Sequence, residues 1–188
     1  MGQLIDGKWH EAQLISASQK GEFQRAASSY RNWITPDGSP GNSGKGGFTP
    51  ESGRYHLFVS YACPWAHRTL IFRELKDLTD HIDISVVSPD MFEQGWVFDP
   101  SVKGATRDHL FGSQYMHQVY SKGDPTANTR VTVPVLWDKK SNTIVSNESS
   151  EIIRMMNSAF NELTGNTTDY WPENLRDEIA PINDRIYN

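Results

Sequence analysis

Cys63 is the only cysteine of the chain and lies within Tyr-Ala-Cys-Pro-Trp-Ala-His-Arg (61–68), between a run of strand formers and a run of helix formers. A thiol attacks or binds a metal as its thiolate, and the start of a helix favours that ion through its free N–H groups and positive dipole end. Pro64 suits the first helical position, where its missing N–H costs nothing, and this makes Cys63 the N-cap. Thiols so placed have pKa values of about 3.5–7.5 instead of about 8.5. His67 and Arg68, one turn on, add positive field in a direction the sequence does not fix. A lone cysteine is usually a small buried hydrophobe, but its place at a strand end and helix start favours the reactive reading. A metal reading through Cys63 and His67 lacks a further ligand cluster.

In a Cys-x-x-Cys motif the second thiol resolves the mixed disulfide, but that position here is Ala66. A single-thiol enzyme must hand its disulfide to an external thiol. Glutathione is the abundant choice in a cytoplasm, so a tripeptide site is expected as well. Arg130 could pair with a carboxylate. Val133, if Pro134 after it is cis, would offer its N–H and C=O to a peptide in the manner of an added strand. An edge-strand proline is the other reading of Pro134. Glu148 and Ser149 open a helix, where N–H groups and a hydroxyl can hold an α-carboxylate while Glu148 attracts an ammonium. Each has an ordinary explanation: a solvated arginine, a core valine, first-turn residues. Their combination favours function.

These side chains need a scaffold. Residues 55–60 (YHLFVS) read as a strand; from Pro64 a helix follows with Ala66, Leu70, Ile71, Leu75 and Leu78 on one side. Residues 81–87 alternate as a second strand, completing a βαβ unit. An irregular segment, 88–129, carries one helix near 107–120. Two strands, 130–138 and 142–147, then precede a helix from Glu148 with Ile152, Met156, Phe160 and Leu163 at helical spacing. The class is α/β, thioredoxin-like: β-α-β, insertion, β-β-α. Residues 1–54 read as an irregular arm, and 55–165 as the glutathione-binding domain. Residues 166–188 read as a linker and the first helix of a second, helical domain. That helix is expected over 172–188, with Leu175, Ile179, Ile182 and Ile186 on one stripe despite Pro181.

The chain has 188 residues, 37% hydrophobic and 22% charged, with a net charge of −5. This fits a soluble globular protein, and the absence of a basic stripe argues against nucleic acid. No stretch approaches the roughly twenty apolar residues of a membrane span. The N-terminus lacks the pattern of a signal peptide, and one cysteine cannot form an internal disulfide, so a cytoplasmic location is expected. Gly44-Lys45 fails the P-loop pattern: Ser39 stands where the first glycine is required, and Gly46 follows the lysine.

FQRAASSYRNWI (23–34), YHLFVSYACPWAHRTLI (55–71), GWVFD (95–99), RVTVPVLWDKK (130–140) and TIVSNESSEIIRM (143–155) together resemble the glutathionyl-hydroquinone reductases, or xi-class glutathione transferases, relatives of the omega class. The resemblance runs over essentially the whole chain. It implies a thioredoxin-fold domain followed by a helical one, with glutathione as co-substrate and no metal. It implies reduction of S-glutathionyl-hydroquinones to hydroquinones, so the partners would be glutathione and glutathionylated aromatic molecules. Cys63 would be the nucleophile, Trp96 would pack on glutathione, and Arg130, Val131, Val133, Glu148 and Ser149 would bind the tripeptide. A homodimer is compatible with it. Family members are much longer, and the tyrosine that protonates the departing hydroquinone lies in the helical domain. The 188-residue chain is therefore expected to bind glutathione, or to form a mixed disulfide at Cys63, with weak or absent reductase turnover. A glutaredoxin-like deglutathionylase and a glutathione-binding module without turnover are the alternatives.

Overall fold

A computed structural model of the chain describes residues 2–11 and 27–187. The arm expected to be irregular over 1–54 begins with a hairpin, β1 (Gln3–Ile5) and β2 (Lys8–His10). Its two-residue turn is Asp6-Gly7, with φ of 48° and 71°. Asp-Gly with two positive φ values is the turn chemistry whose twist matches the strands on either side, so the signal was in the sequence and outweighs the irregular reading. A Cβ on Gly7 would lie 1.8 Å from the Pro125 carbonyl oxygen. Residues 12–26, including the opening of the FQRAASSYRNWI element, lie outside the described residues. Farther on, Tyr30 to Asn32 run along the end of the main sheet, where Arg31 bridges antiparallel to Ser146. The Asn147 N–H donates to the Tyr30 carbonyl (3.1 Å), and the Asn32 N–H donates to that of Val145 (2.9 Å).

β3 (Tyr55–Val59) is buried at every residue, as befits a central strand. α1 (Pro64–Leu75) follows it, then β4 (Ile82–Val86), parallel to β3 in the register Tyr55 to Ile82. The expected stripe on α1 is only partly right. Ala66 is buried, but Ile71 and Leu75 are exposed. At 100° per residue they lie roughly 140° and 180° around the helix from Ala66, and the inward side is completed by Thr69 with half-buried Leu70 and Phe72.

The insertion holds a second hairpin, β5 (Met91–Phe92) with β6 (Gly95–Trp96). The helix expected near 107–120 is α2 (Met116–Gly123). Residues 108–113 are instead a loop wound on one carboxylate: Asp108 accepts from the N–H groups of Leu110, Phe111 and Ser113.

The single strand expected over 130–138 is two strands. β7 (Thr129–Arg130) pairs with β1, and β8 (Val135–Asp138) pairs antiparallel with β3. Between them the Val133–Pro134 peptide is cis. β9 (Thr143–Ser146) forms the far edge, giving the order β4-β3-β8-β9. α3 (Ser149–Ser158) and α4 (Asn161–Thr164) come next. On one face Tyr55 meets Phe160 at the α3–α4 junction, and α1 packs beside α3. On the other, Trp137 meets Phe111, and Gly123 of α2 faces the same ring. A parallel pair, two antiparallel neighbours and helices on both faces make the sheet thioredoxin-like.

The chain leaves through a linker, 166–171, and a short 3-10 turn into α5 (Arg176–Tyr187), which contains Pro181. The stripe expected there is present and uncovered, with Leu175, Ile182 and Ile186 exposed.

Candidate active site

Cys63 is the N-cap of α1 with extended backbone (φ −95°, ψ 113°), and Pro64 opens the helix. Its carbonyl accepts the first helical hydrogen bond, from the His67 N–H at 2.9 Å. The thiol is half-buried, packed on the core that includes Trp96 and Val133. Its sulfur makes no capping bond to the N–H groups of α1, where the sequence reading aimed it. Sγ–H instead donates to the Val133 carbonyl at 3.4 Å. The proline-bearing loop and the helix start thus meet at the sulfur, from positions 70 residues apart.

Tyr120, on the buried side of α2, ties that loop to α3. Its hydroxyl donates to the Thr132 carbonyl (3.1 Å) and accepts from Asn147 Nδ2 (3.2 Å), one residue before Glu148. Burial pushes the Tyr120 hydroxyl up, against the opposing hydrogen bonds to Thr132 and Asn147, so it keeps its proton. Valine 131 is buried beside Thr132, and among the described residues no backbone carbonyl accepts from the Val133 N–H. Arg130 ends β7 with its side chain exposed, paired in register with Gln3. Trp96 lies buried in the β5–β6 hairpin.

Glu148 caps α3, its Oε1 accepting from the Ser150 N–H (3.1 Å) and hydroxyl (2.7 Å), while Oε2 accepts from Ser28 (2.9 Å). Arg68 reaches across from α1: Nε and Nη2 donate to Ser149 Oγ at 3.0 and 2.6 Å, and Nη2 stands 3.7 Å from Glu148 Oε1. The same guanidinium lies over the Trp65 ring at 5.0 Å. Arg68, which the sequence reading took as positive field near Cys63, is instead a bridge to α3, and together with Tyr120, a tie the sequence did not single out, it organises the candidate site residues. Arginine five residues after the cysteine was visible as a charge; its target became visible only when α3 was brought beside α1.

Among the described residues no group of three or more His, Cys, Asp or Glu side chains could hold a metal ion, and no helix is long and apolar enough to cross a membrane. Thiol, strand-like loop and polar helix start lie around one sheet end, an arrangement suited to exchange with a peptide-borne sulfur.

The family model described as the N-terminal domain of glutathione S-transferase matches residues 62–159. Glutathionyl-hydroquinone reductase YqjG of Escherichia coli K12 is 56% identical over 188 residues, covering 100% of this chain and 57% of that protein. The glutathione-bound structure of YqjG superposes with a TM-score of 0.87 at 52% identity, over 99% of this chain and 55% of that one. A xi-class glutathione transferase from Natrialba magadii gives 0.84 at 44% identity, over 100% and 54%. The chain spans about half the length of the relatives it matches.

Proposed function

The chain belongs to the glutathione S-transferase family, with close homology to its glutathionyl-hydroquinone reductase, or xi-class, members, and from that premise we propose that it binds glutathione over the α1, Val133 and α3 elements and reduces S-glutathionyl-hydroquinones through Cys63. The observation that carries this reading is the contact of the Cys63 sulfur with the Val133 carbonyl, at the start of α1 and beside cis-Pro134. Val131 and Val133 would hold the peptide backbone, Arg130 a carboxylate and Trp96 the face of the tripeptide. Glu148 and Ser149 would take its γ-glutamyl end. Loss of the Cys63 proton releases the Val133 carbonyl from its donor, which leaves that oxygen for a peptide N–H.

In the first step the Cys63 thiolate attacks the glutathione sulfur of the conjugate. The carbon–sulfur bond breaks, a sulfur–sulfur bond forms, and the ring carbon takes a proton as hydroquinone leaves. A second glutathione, as thiolate, then attacks the Cys63–glutathione disulfide. Oxidised glutathione departs and Cys63 is restored. The conjugate is reduced and two glutathione units become the disulfide.

Residues 55–165 would form the glutathione-binding domain, and 166–188 the linker and first helix of a second, helical domain. The exposed stripe of α5 and the greater length of the relatives support that division. The cytoplasm, glutathionylated aromatic substrates and a homodimer complete the proposal. The test is Cys63→Ser, assayed with a glutathionyl-hydroquinone and with a small glutathione mixed disulfide, alongside mass spectrometry of the protein. We expect a glutathione adduct on the unaltered chain and none on the variant, which should lose whatever turnover the unaltered chain shows on either substrate; on the hydroquinone conjugate that turnover is expected to be weak. Turnover retained by Cys63→Ser would remove Cys63 from the chemistry.

A further inference from the structure

We propose that Arg68 is a positioning residue that turns the Ser149 hydroxyl into a dedicated donor for the α-carboxylate of a γ-glutamyl ligand. This rests on the glutathione reading above. A serine hydroxyl has one proton to give and two lone pairs to receive. Arg68 fills both lone pairs, with Nε at 3.0 Å and Nη2 at 2.6 Å from Ser149 Oγ. What remains is the proton, and among the described residues no acceptor takes it. Ser149 is 4% exposed, so water is largely kept from the group.

Electrostatics agree with the hydrogen bonding. The guanidinium stands at the start of α3, where the helix dipole is already positive. Two carboxylates stand at this helix start: Glu148, engaged by Ser150 and Ser28 and 3.7 Å from Arg68, and Glu151, paired with Arg31. Both are already partnered, and a ligand carboxylate meets the Ser149 hydroxyl at the positive end of the helix. Arginine is suited because its planar fork puts two N–H groups on a single oxygen, while lysine is a point donor. Arg68 also follows Cys63 on α1, so one helix carries the nucleophile at its start and sets the polarity of the ligand anchor on its neighbour.

Calorimetric titration of the chain under reducing conditions tests this, using glutathione, γ-glutamylcysteine and cysteinylglycine. The dipeptide cysteinylglycine lacks the γ-glutamyl carboxylate. Arg68→Met should weaken glutathione and γ-glutamylcysteine about tenfold, as expected for a lost hydrogen bond to a charged group, and leave cysteinylglycine unchanged. Ser149→Ala should do the same, and the double variant should bind no more weakly than Ser149→Ala alone. Arg68→Lys should fall between. Losses that add in the double variant, unaltered glutathione binding by Arg68→Met, or equal weakening of cysteinylglycine would each overturn the role of Arg68. Absence of glutathione binding by the unaltered chain would instead remove the glutathione reading beneath it. Should a thermal melt show Arg68→Met unfolded, Arg68→Lys takes its place in the same cycle.

Discussion

His56 lies mid-strand in β3 at 2% exposure, with Nε2 2.8 Å from Ser85 Oγ, which also accepts the His109 N–H at 3.0 Å. Burial pushes the His56 imidazole down to about 4; Asp83 and Asp108 pull it up while Lys139 and His109 push it further down. In the unfolded chain the same ring titrates near 6.5. As pH falls below that value the unfolded chain binds a proton that the folded chain refuses, so stability is complete above 6.5 and declines until the folded ring titrates at about 4. A gap of this size is on the order of 3 kcal/mol of stability for the one group. Urea unfolding midpoints between pH 7 and 4.5 should fall accordingly, and in His56→Gln the decline should be markedly flatter. His117, which burial also pushes down, contributes to the decline in the same window, and Glu51, held below the usual carboxylate range chiefly by Lys140, adds to it at the acid end, so His56→Gln flattens the decline without abolishing it. The same slope in both proteins would assign the decline elsewhere.

Between elements, α2 is fixed to the sheet at its last residue, Gly123, where an added Cβ would stand 2.9 Å from the Trp137 ring. Trp137 is fully buried and held edge-on by Phe111, so the ring has little room to retreat. Alanine at 123 gains up to about 1 kcal/mol of helix propensity, while overpacking costs about 1–3 kcal/mol. Gly123→Ala should therefore lower the thermal midpoint; a midpoint that rises would show that the sheet yields there. Such close approaches also explain what could be read in advance. β3, α1, β4, β9 and α3 were legible because each carries a regular apolar pattern, and Cys63 because a lone thiol before proline marks a strand-to-helix junction. The β1–β2 hairpin was legible too, in Asp6-Gly7, but its apolar runs are too short to announce it. The insertion was opaque because side chains rather than periodicity organise it: Asp108 winds one loop and β5–β6 is two residues a side. Arg68 was opaque for a related reason. Its partner lies 81 residues away, and no local spacing encodes that pairing.

At the scale of the whole molecule, the linker and α5 differ from the sheet in what holds them. Lys76, at the end of α1, is fully buried, and its ammonium donates to the carbonyls of Asn166 (2.8 Å) and Thr168 (2.5 Å). Burial pushes that ammonium down, opposed by Asp169 and Asp77. Asn157 of α3 donates to Asp169 (2.6 Å) and accepts from the Tyr170 N–H (2.8 Å), and Arg154 lies over the Trp171 ring at 3.5 Å. Beyond Trp171, α5 exposes Ile182 at 58% and Ile186 at 73%. Local opening should therefore rise stepwise along the chain, lowest in β3, intermediate in 166–171 and highest in α5. Lys76→Met keeps the length and apolar volume but leaves two carbonyls without their donor, which costs about 1–3 kcal/mol where the groups stay buried. Because opening lets water reach those carbonyls, the cost is relieved by releasing the linker alone. Hydrogen-exchange mass spectrometry should show 166–171 in Lys76→Met exchanging about tenfold faster or more, converging on the rate of α5, with β3 unchanged. Equal protection of 166–171 in both proteins would mean that Asn157 and Arg154 suffice to hold the linker; loss of protection in β3 as well would mean that Lys76 stabilises the whole sheet rather than the direction in which the chain leaves it.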